Sequence, residues 1–216
     1  MSMKRIAAIV FLALCAACQK EPAPGTGPDS SAGKGPAPEA AKPVKVKFET
    51  SCGDFVIEVR PEWSPLGAKR FLELVKNGFY DDARFFRVVP GFVVQFGMNG
   101  DPTTNSHWMT ANIRDEPVKA SNRKKTICFA KTDLPNTRTT QVFLNLADNN
   151  ASGRTDLDRM GFAAFGEIVS GWEAVEKINS EYGQKPDQSL IASEGNAYLD
   201  ARFPGLDYIK KATILP

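Results

Sequence analysis

The chain has 216 residues, of which 42% are hydrophobic and 24% are charged, as in a soluble globular protein of one or two domains. The formal net charge is +2 and no long basic block lies outside the N-terminus, which argues against a protein that binds nucleic acid through charge. The single histidine, His107, argues against a dedicated zinc or haem site, so we expect neither a metal nor a cofactor.

The N-terminal stretch MSMKRIAAIVFLALCAACQK predicts a secretory signal. Lys4 and Arg5 form a short basic region, and an apolar run from residue 6 to residue 14 follows it. This run is too short to span a bilayer as a transmembrane helix. We therefore expect a signal peptide at residues 1–17 and an extracytoplasmic protein.

The end of this signal, CAAC, resembles the lipobox of bacterial lipoproteins. The small residues Ala16 and Ala17 precede Cys18, while Cys15 stands where leucine is usual. The resemblance implies cleavage before Cys18 and lipidation of this cysteine; an ordinary cleaved signal is the alternative. Gln19 follows in place of aspartate, which by the usual sorting of lipoproteins favours the periplasmic side of the outer membrane.

The segment after Cys18 is rich in proline, glycine, alanine and serine and has no periodic apolar face. Such a segment buries too little surface to offset its ordering entropy, so we expect disorder and a span of roughly 25–30 Å. The chain thus divides into the signal peptide, a lipidated cysteine with its tether at 18–44, and a folded domain at 45–216.

The folded part begins with VKVKFETSCGDFVIEVRP, in which apolar and polar residues alternate on both sides of a tight turn. This pattern predicts two half-buried strands in a hairpin. A helix follows, with Ser64 as its N-cap, Pro65 at its first position and Gly78 at its end. A second helix is predicted in SGWEAVEKIN, which begins at Ser170.

Short apolar stretches predict the remaining strands, at 85–89, 92–96, 126–130, 142–146, 162–168 and 209–216. Many short strands with only two helices favour an antiparallel barrel or sandwich. A polar loop from Asn99 to Lys125 is long enough to be functional or mobile. The segment from Ala192 to Leu215 carries aromatic residues, and we expect it to pack over the barrel.

Three segments resemble those of the cyclophilins, a family of peptidyl-prolyl cis–trans isomerases. FFRVVPGFVVQFG is similar to the family's Phe-His-Arg-x-x-Pro-Gly-Phe-x-x-Gln-Gly-Gly, and FAKTDLPNTRTTQVFLNL is similar to its Met-Ala-x-x-x-x-Pro-Asn-Thr-x-x-Ser-Gln-Phe-Phe-Ile. GFAAFGEIVSGWEAVEKI is similar to the strand and helix that follow. The resemblance implies a mainly β fold: a closed, eight-stranded antiparallel β-barrel capped by two α-helices.

The resemblance also implies the site residues. Arg87 matches the family's catalytic arginine, Gln95 its substrate-binding glutamine, and Phe143 a wall of the proline pocket; all three are predicted to be catalytic. Predicted substrate-binding residues are Phe92, Val93, Lys131, Leu157 and Phe162. Two positions depart from the family, because Val93 replaces a common methionine and Phe162 replaces a histidine. No counterpart of the family's rim tryptophan is present, and Leu157 is expected near its place.

This chemistry suits those residue types, because rotation about a prolyl bond makes and breaks no covalent bond. An apolar socket can hold the proline ring while a fixed donor such as Arg87 favours the twisted state. We therefore expect a monomeric isomerase that acts on proline-containing polypeptides and assists the folding of exported proteins. A cyclophilin-fold chaperone or binding module with little turnover is the alternative. Whether Cys52 and Cys128 form a disulfide is left open.

Overall fold

The computed structural model describes residues 42–150 and 156–216. Cys18, the predicted signal peptide and most of the predicted tether lie outside these residues. The strands of the described chain are β1 Val44–Thr50, β2 Gly53–Val59, β3 Arg87–Val89, β4 Val93–Phe96, β5 Thr126–Phe129, β6 Val142–Asn145, β7 Ala164–Ser170 and β8 Ile209–Ile214. The helices are α1 Pro65–Lys76, α2 Pro102–Trp108, α3 Trp172–Glu176, α4 Gln188–Glu194 and α5 Asn196–Arg202.

The first two strands form the predicted hairpin. They pair antiparallel from Val44 opposite Val59 to Thr50 opposite Gly53. Alternate residues of both strands are buried, as the alternating sequence requires. The turn places Gly53 at φ +127°, a conformation that side chains disfavour. The hairpin therefore follows from local sequence alone.

All eight strands join one antiparallel sheet in the order β3-β4-β6-β5-β7-β2-β1-β8. The sheet curls but stays open, so the prediction of a closed barrel is wrong. Its two edge strands, β3 and β8, approach each other only through an isolated bridge between Arg84 and Tyr208 and neighbouring backbone hydrogen bonds. This bridge lies before the first residue of each of the two strands, so β3 and β8 do not pair with each other along their own lengths.

An aromatic core fills the inside of the curled sheet. The rings of Phe48 and Phe55 stack with centroids 5.1 Å apart, and Phe71 of α1 lies 4.9 Å from Phe165 of β7. Tyr80 is fully buried and donates its hydroxyl to the carbonyl of Thr140 at 3.0 Å. The core thus consists mainly of inward-facing residues of the sheet and the apolar stripe of α1, with further residues from the connection between α1 and β3.

The N-terminus of α1 is capped differently from the prediction. The hydroxyl of Ser64 accepts no backbone N–H; it donates to the carboxylate of Glu116. That carboxylate accepts the N–H groups of Leu66 at 2.7 Å and Gly67 at 3.0 Å. A side chain 50 residues away therefore caps the helix, which local sequence could not reveal.

The described residues contain five helices where two were predicted. The second predicted helix is present as the short α3, which lies against β2. The expected polar loop contains α2, and the C-terminal segment contains α4 and α5. Of the helices in the described ranges, none has the length and hydropathy needed to cross a membrane.

Candidate active site

The three residues predicted to be catalytic lie side by side on three neighbouring strands. Arg87 of β3 pairs with Gln95 of β4, and Gln95 pairs with Phe143 of β6. Directly opposed residues of antiparallel strands project from the same face of a sheet. The register therefore places these three side chains in one row.

A chain of hydrogen bonds runs along this row. Arg87 donates from Nη1 to Oε1 of Gln95 at 3.0 Å, and Gln95 donates from Nε2 to Oε1 of Gln141 at 2.7 Å. Gln141 was missed in the sequence, although it occupies the glutamine position of the second cyclophilin-like segment. The bond to Gln141 orients the amide of Gln95, and Oε1 of that amide in turn orients the guanidinium of Arg87.

Arg87 is half-buried, and its side chain forms one hydrogen bond with another described residue, the bond to Gln95. Burial lowers the pKa of its guanidinium. Arginine nevertheless keeps its charge in proteins at neutral pH. Within the described ranges, Arg87 forms no ion pair with a carboxylate. Its guanidinium carbon lies 5.8 Å from the ring centroid of Phe92. The donors that Gln95 does not use are available to a ligand.

An apolar cluster separate from the core lies beside Arg87. Its buried members are Val93, Cys128, Phe143, Leu157 and Ala164, with Trp63, Phe92, Ala120, Ala130 and Phe162 packed against them. The rings of Phe143 and Phe162 meet edge to face, with centroids 5.6 Å apart and an interplanar angle of 72°. This arrangement forms an apolar socket on the outer face of the sheet.

All eight residues predicted to be catalytic or substrate-binding line one cavity of about 310 Å³. Lys131 lies at its rim, with Nζ 5.1 Å from the ring centroid of Phe162. The residues that sequence analysis missed are Ala130, Thr132, Thr137, Thr139, Gln141 and Gln188. The threonines lie in a turn-rich connection without strand pattern, and Gln188 lies between the second predicted helix and the C-terminal segment, where the sequence predicts no element.

A buried network of asparagines supports the walls of this cavity. Asn149 donates from Nδ2 to the carbonyl of Phe92 at 2.9 Å and to Oδ1 of Asn145 at 2.7 Å. Asn122 donates from Nδ2 to the carbonyl of Phe162 at 2.8 Å. The carbonyls of two wall residues are therefore fixed by amides behind them, which restricts the positions of both rings.

Cys128 and Cys52 are both free thiols. Burial raises the pKa of Cys128 well above its ordinary value of 9.0, so the protonated sulfur donates to Oδ1 of Asn122 at 2.9 Å. Cys52 lies elsewhere and donates to the carbonyl of Ala174 at 3.4 Å. Cys52 and Cys128 therefore form no disulfide with each other.

Asp158 anchors this network and gives it a pH dependence. Partial burial raises the pKa of its carboxyl, but hydrogen bonds from Ser121 and Asn122 outweigh this effect, and the pKa lies below 3.8. Because the pKa of Asp158 is lower in the folded state than in the unfolded state, its carboxylate stabilises the fold at every pH above the unfolded-state pKa. This stabilisation is lost as the pH falls through the folded-state pKa.

We expect Asp158→Asn to be less stable than wild type by the same amount from about pH 5 to pH 7, with the difference shrinking below about pH 4. Urea unfolding followed by tryptophan fluorescence across this range measures it. The exposed variant Asp133→Asn serves as the control. A difference between wild type and Asp158→Asn that is as large at pH 3 as at pH 7 would show that the carboxylate is not the cause.

Comparison with known proteins agrees with this geometry. The family model described as cyclophilin type peptidyl-prolyl cis-trans isomerase/CLD matches residues 45–193. The chain belongs to the cyclophilin family. A peptidyl-prolyl cis-trans isomerase of Acinetobacter baylyi is 37% identical over 146 residues, which span 64% of this chain and 75% of the relative. Peptidyl-prolyl cis-trans isomerase B of Escherichia coli is 34% identical over 137 residues, 62% of this chain and 82% of the relative.

Solved structures show the same fold. A cyclophilin type peptidyl-prolyl cis-trans isomerase of Cryptosporidium parvum superposes with a TM-score of 0.60 at 22% identity, covering 81% of this chain and 99% of its own. A cyclophilin from Hirschia baltica superposes with a TM-score of 0.54 at 17% identity, covering 80% of this chain and 75% of its own. The predicted isomerase activity is thus confirmed: this cyclophilin is a peptidyl-prolyl cis–trans isomerase. The roles of the individual site residues stay predictions.

Proposed function

We propose that this cyclophilin isomerises Xaa-Pro bonds of exported polypeptides in the cavity beside Arg87. The proposal is supported by one observation: a half-buried arginine and an apolar socket line the same cavity. A structure of the Cryptosporidium parvum isomerase was determined in the presence of the dipeptide Ala-Pro, so a relative of the same fold has been studied with a proline ligand.

The barrier to be lowered is about 18–20 kcal/mol, because rotation breaks the amide resonance. In the proposed mechanism, Phe92, Phe143 and Leu157 enclose the proline ring and exclude water. Resonance is lost in the twisted state, and the prolyl nitrogen gains a lone pair. A donor of Arg87 hydrogen-bonds to this lone pair, an interaction that is absent from the planar ground state.

Gln95 has a second role in this mechanism. Its Oε1 accepts from Arg87 and one N–H of its Nε2 donates to Gln141, while the other N–H has no acceptor among the described residues. We assign that N–H to a backbone carbonyl of the substrate. Gln95 then fixes the substrate backbone and the catalytic donor at once, so rotation about the prolyl bond occurs against a rigid frame.

Two-dimensional NMR of a ¹⁵N-labelled full chain with an unlabelled Ala-Pro-containing peptide tests the site. Resonances of residues lining the cavity are expected to shift, and exchange cross-peaks are expected between the cis and trans forms of the peptide. The labelled variant Phe143→Ala, which opens the socket, is expected to bind the peptide more weakly. Shifts confined to another surface would contradict the assigned site.

The location is also a proposal. We infer that Cys18 carries a lipid anchor and that the segment after it tethers a monomeric domain on the periplasmic side of the outer membrane. The lipobox-like CAAC and the proline- and glycine-rich composition of residues 19–44 support this placement. Clients would then be polypeptides that fold after export.

Metabolic labelling with a radioactive fatty acid, followed by membrane fractionation, tests the anchor. The wild-type chain is expected to carry the label and sediment with outer membranes. Cys18→Ser is expected to lose both properties, while Cys15→Ser is the matched control and is expected to keep them. Unlabelled wild-type protein in the soluble fraction would establish an ordinary cleaved signal.

A further inference from the structure

A second cavity of about 490 Å³ adjoins the first. Five residues line both of them, namely Thr132, Thr137, Thr139, Gln141 and Gln188. The two cavities therefore lie side by side, and together they are called the groove. A polypeptide whose proline occupies the apolar socket extends beyond it on both sides, and the second cavity lies in the path of one of these extensions.

Helix α4 forms one wall of this second cavity. Gln188, Ser189 and Ala192 of α4 line it, together with Met98, Met109 and other residues. Gln188 also reaches the first cavity. Helix α4 thus contributes side chains to both cavities, whose other lining residues come from the sheet, its loops and Asn105 of α2.

This wall is held firmly in place. Ile191 of α4 and Leu199 of α5 are buried in one cluster with Phe86 and Met98, which lie on either side of β3 and β4. Gly195, between the two helices, has φ +62°, and a Cβ there would lie 2.0 Å from the carbonyl oxygen of Gly100. Such close packing leaves α4 in a fixed position beside the groove.

The chemistry of the second cavity is uncharged. Its lining residues in the described chain are threonine, serine, asparagine, glutamine, methionine and alanine. Gln188 is exposed, and its amide forms no hydrogen bond with another described residue. A free carboxamide at the boundary of two cavities can donate to and accept from a passing polypeptide backbone.

We propose that Gln188 is a specificity-determining residue, contacting the substrate residues next to the proline and favouring uncharged side chains there. This inference rests on the proposed site of isomerisation. It gives the C-terminal helices a role in substrate choice in addition to the packing expected from sequence. A charge placed at position 188 then becomes part of the substrate site and changes which peptides are preferred.

The test uses the purified full chain and a series of Xaa-Pro peptides. Each peptide carries a single lysine or a single glutamate, placed at one of the three positions before or the three positions after the proline. The measured quantity is the kcat/KM for a lysine peptide divided by that for the matching glutamate peptide. In Gln188→Glu this ratio is expected to be about two- to five-fold higher than in wild type at one or two of these positions. Gln188→Lys is expected to reverse this preference. The change is expected in KM and not in kcat, because Gln188 is proposed to contact the residues that flank the proline and not the prolyl bond itself.

Gln184 provides the matched control, since it is an exposed glutamine four residues earlier that lines neither cavity. Gln184→Glu and Gln184→Lys are expected to leave the charge preference unchanged. If the wild type is active and the charge preference shifts equally in the variants at positions 188 and 184, or in neither set, the role of Gln188 is overturned. A wild type that accelerates none of the peptides overturns the proposed site as well.

Discussion

Replacing Arg87 by alanine is expected to lower kcat/KM for an Xaa-Pro tetrapeptide about 10- to 100-fold. The substitution removes the donor that is proposed to stabilise the twisted prolyl nitrogen, and a charge-assisted hydrogen bond contributes about 1.5–3 kcal/mol. The loss is expected mainly in kcat, because the apolar socket that binds the proline ring remains. A coupled assay of cis-to-trans isomerisation measures both parameters.

Arg87→Lys distinguishes geometry from charge. Lysine retains the positive charge but lacks the planar fork that Gln95 orients, so most of the activity is expected to be lost in this variant too. Stability is expected to change little in either variant, since Arg87 is half-buried and forms no ion pair with a carboxylate among the described residues. Full activity in a folded Arg87→Ala protein would remove the arginine from the mechanism.

Replacing Glu116 by alanine is expected to lower the free energy of unfolding by about 3–5 kcal/mol. Glu116 is 8% exposed and forms an ion pair of 3.1 Å with Arg138, which is 2% exposed. Its removal leaves a buried guanidinium with fewer partners and uncaps the first N–H groups of α1 at Leu66 and Gly67. Urea unfolding monitored by circular dichroism measures the change.

Two variants separate the contributions of Glu116. Glu116→Gln retains an acceptor for the helix cap and loses the charge, so we expect an intermediate loss of stability. Glu194→Ala removes an exposed glutamate of α4 and is expected to change stability by less than about 0.5 kcal/mol. If Glu116→Ala were as stable as Glu194→Ala, the ion pair with Arg138 would have no net effect on stability.

The parts of the fold that the sequence predicted are those set by local pattern. The β1–β2 hairpin follows from strict alternation around a glycine turn, and α1 follows from its apolar stripe and the proline at its start. The convergence of Arg87, Gln95 and Phe143 was predictable because family resemblance supplied the pairing of distant strands. Periodicity alone would have left them as three polar or aromatic strand residues.

The parts that were missed depend on contacts between distant segments. The cap of α1 comes from Glu116, whose loop has no strand or helix signal that would bring it there. The open edge of the sheet lies between β3 and β8, which are far apart in the sequence and meet only near Arg84 and Tyr208 in the described chain. The α4 wall of the groove depends on the packing of the C-terminal segment around Met98. None of these contacts leaves a pattern in its own stretch of sequence.

The most direct test of the central claim is the rate of cis-to-trans isomerisation of an Xaa-Pro tetrapeptide by the full chain, compared side by side with Phe143→Ala and Arg87→Ala. The uncatalysed reaction takes tens of seconds. We predict a wild-type rate well above this background and proportional to enzyme concentration, with large losses in both variants. A folded wild-type protein that leaves the background rate unchanged would contradict the assignment of isomerase chemistry to this groove.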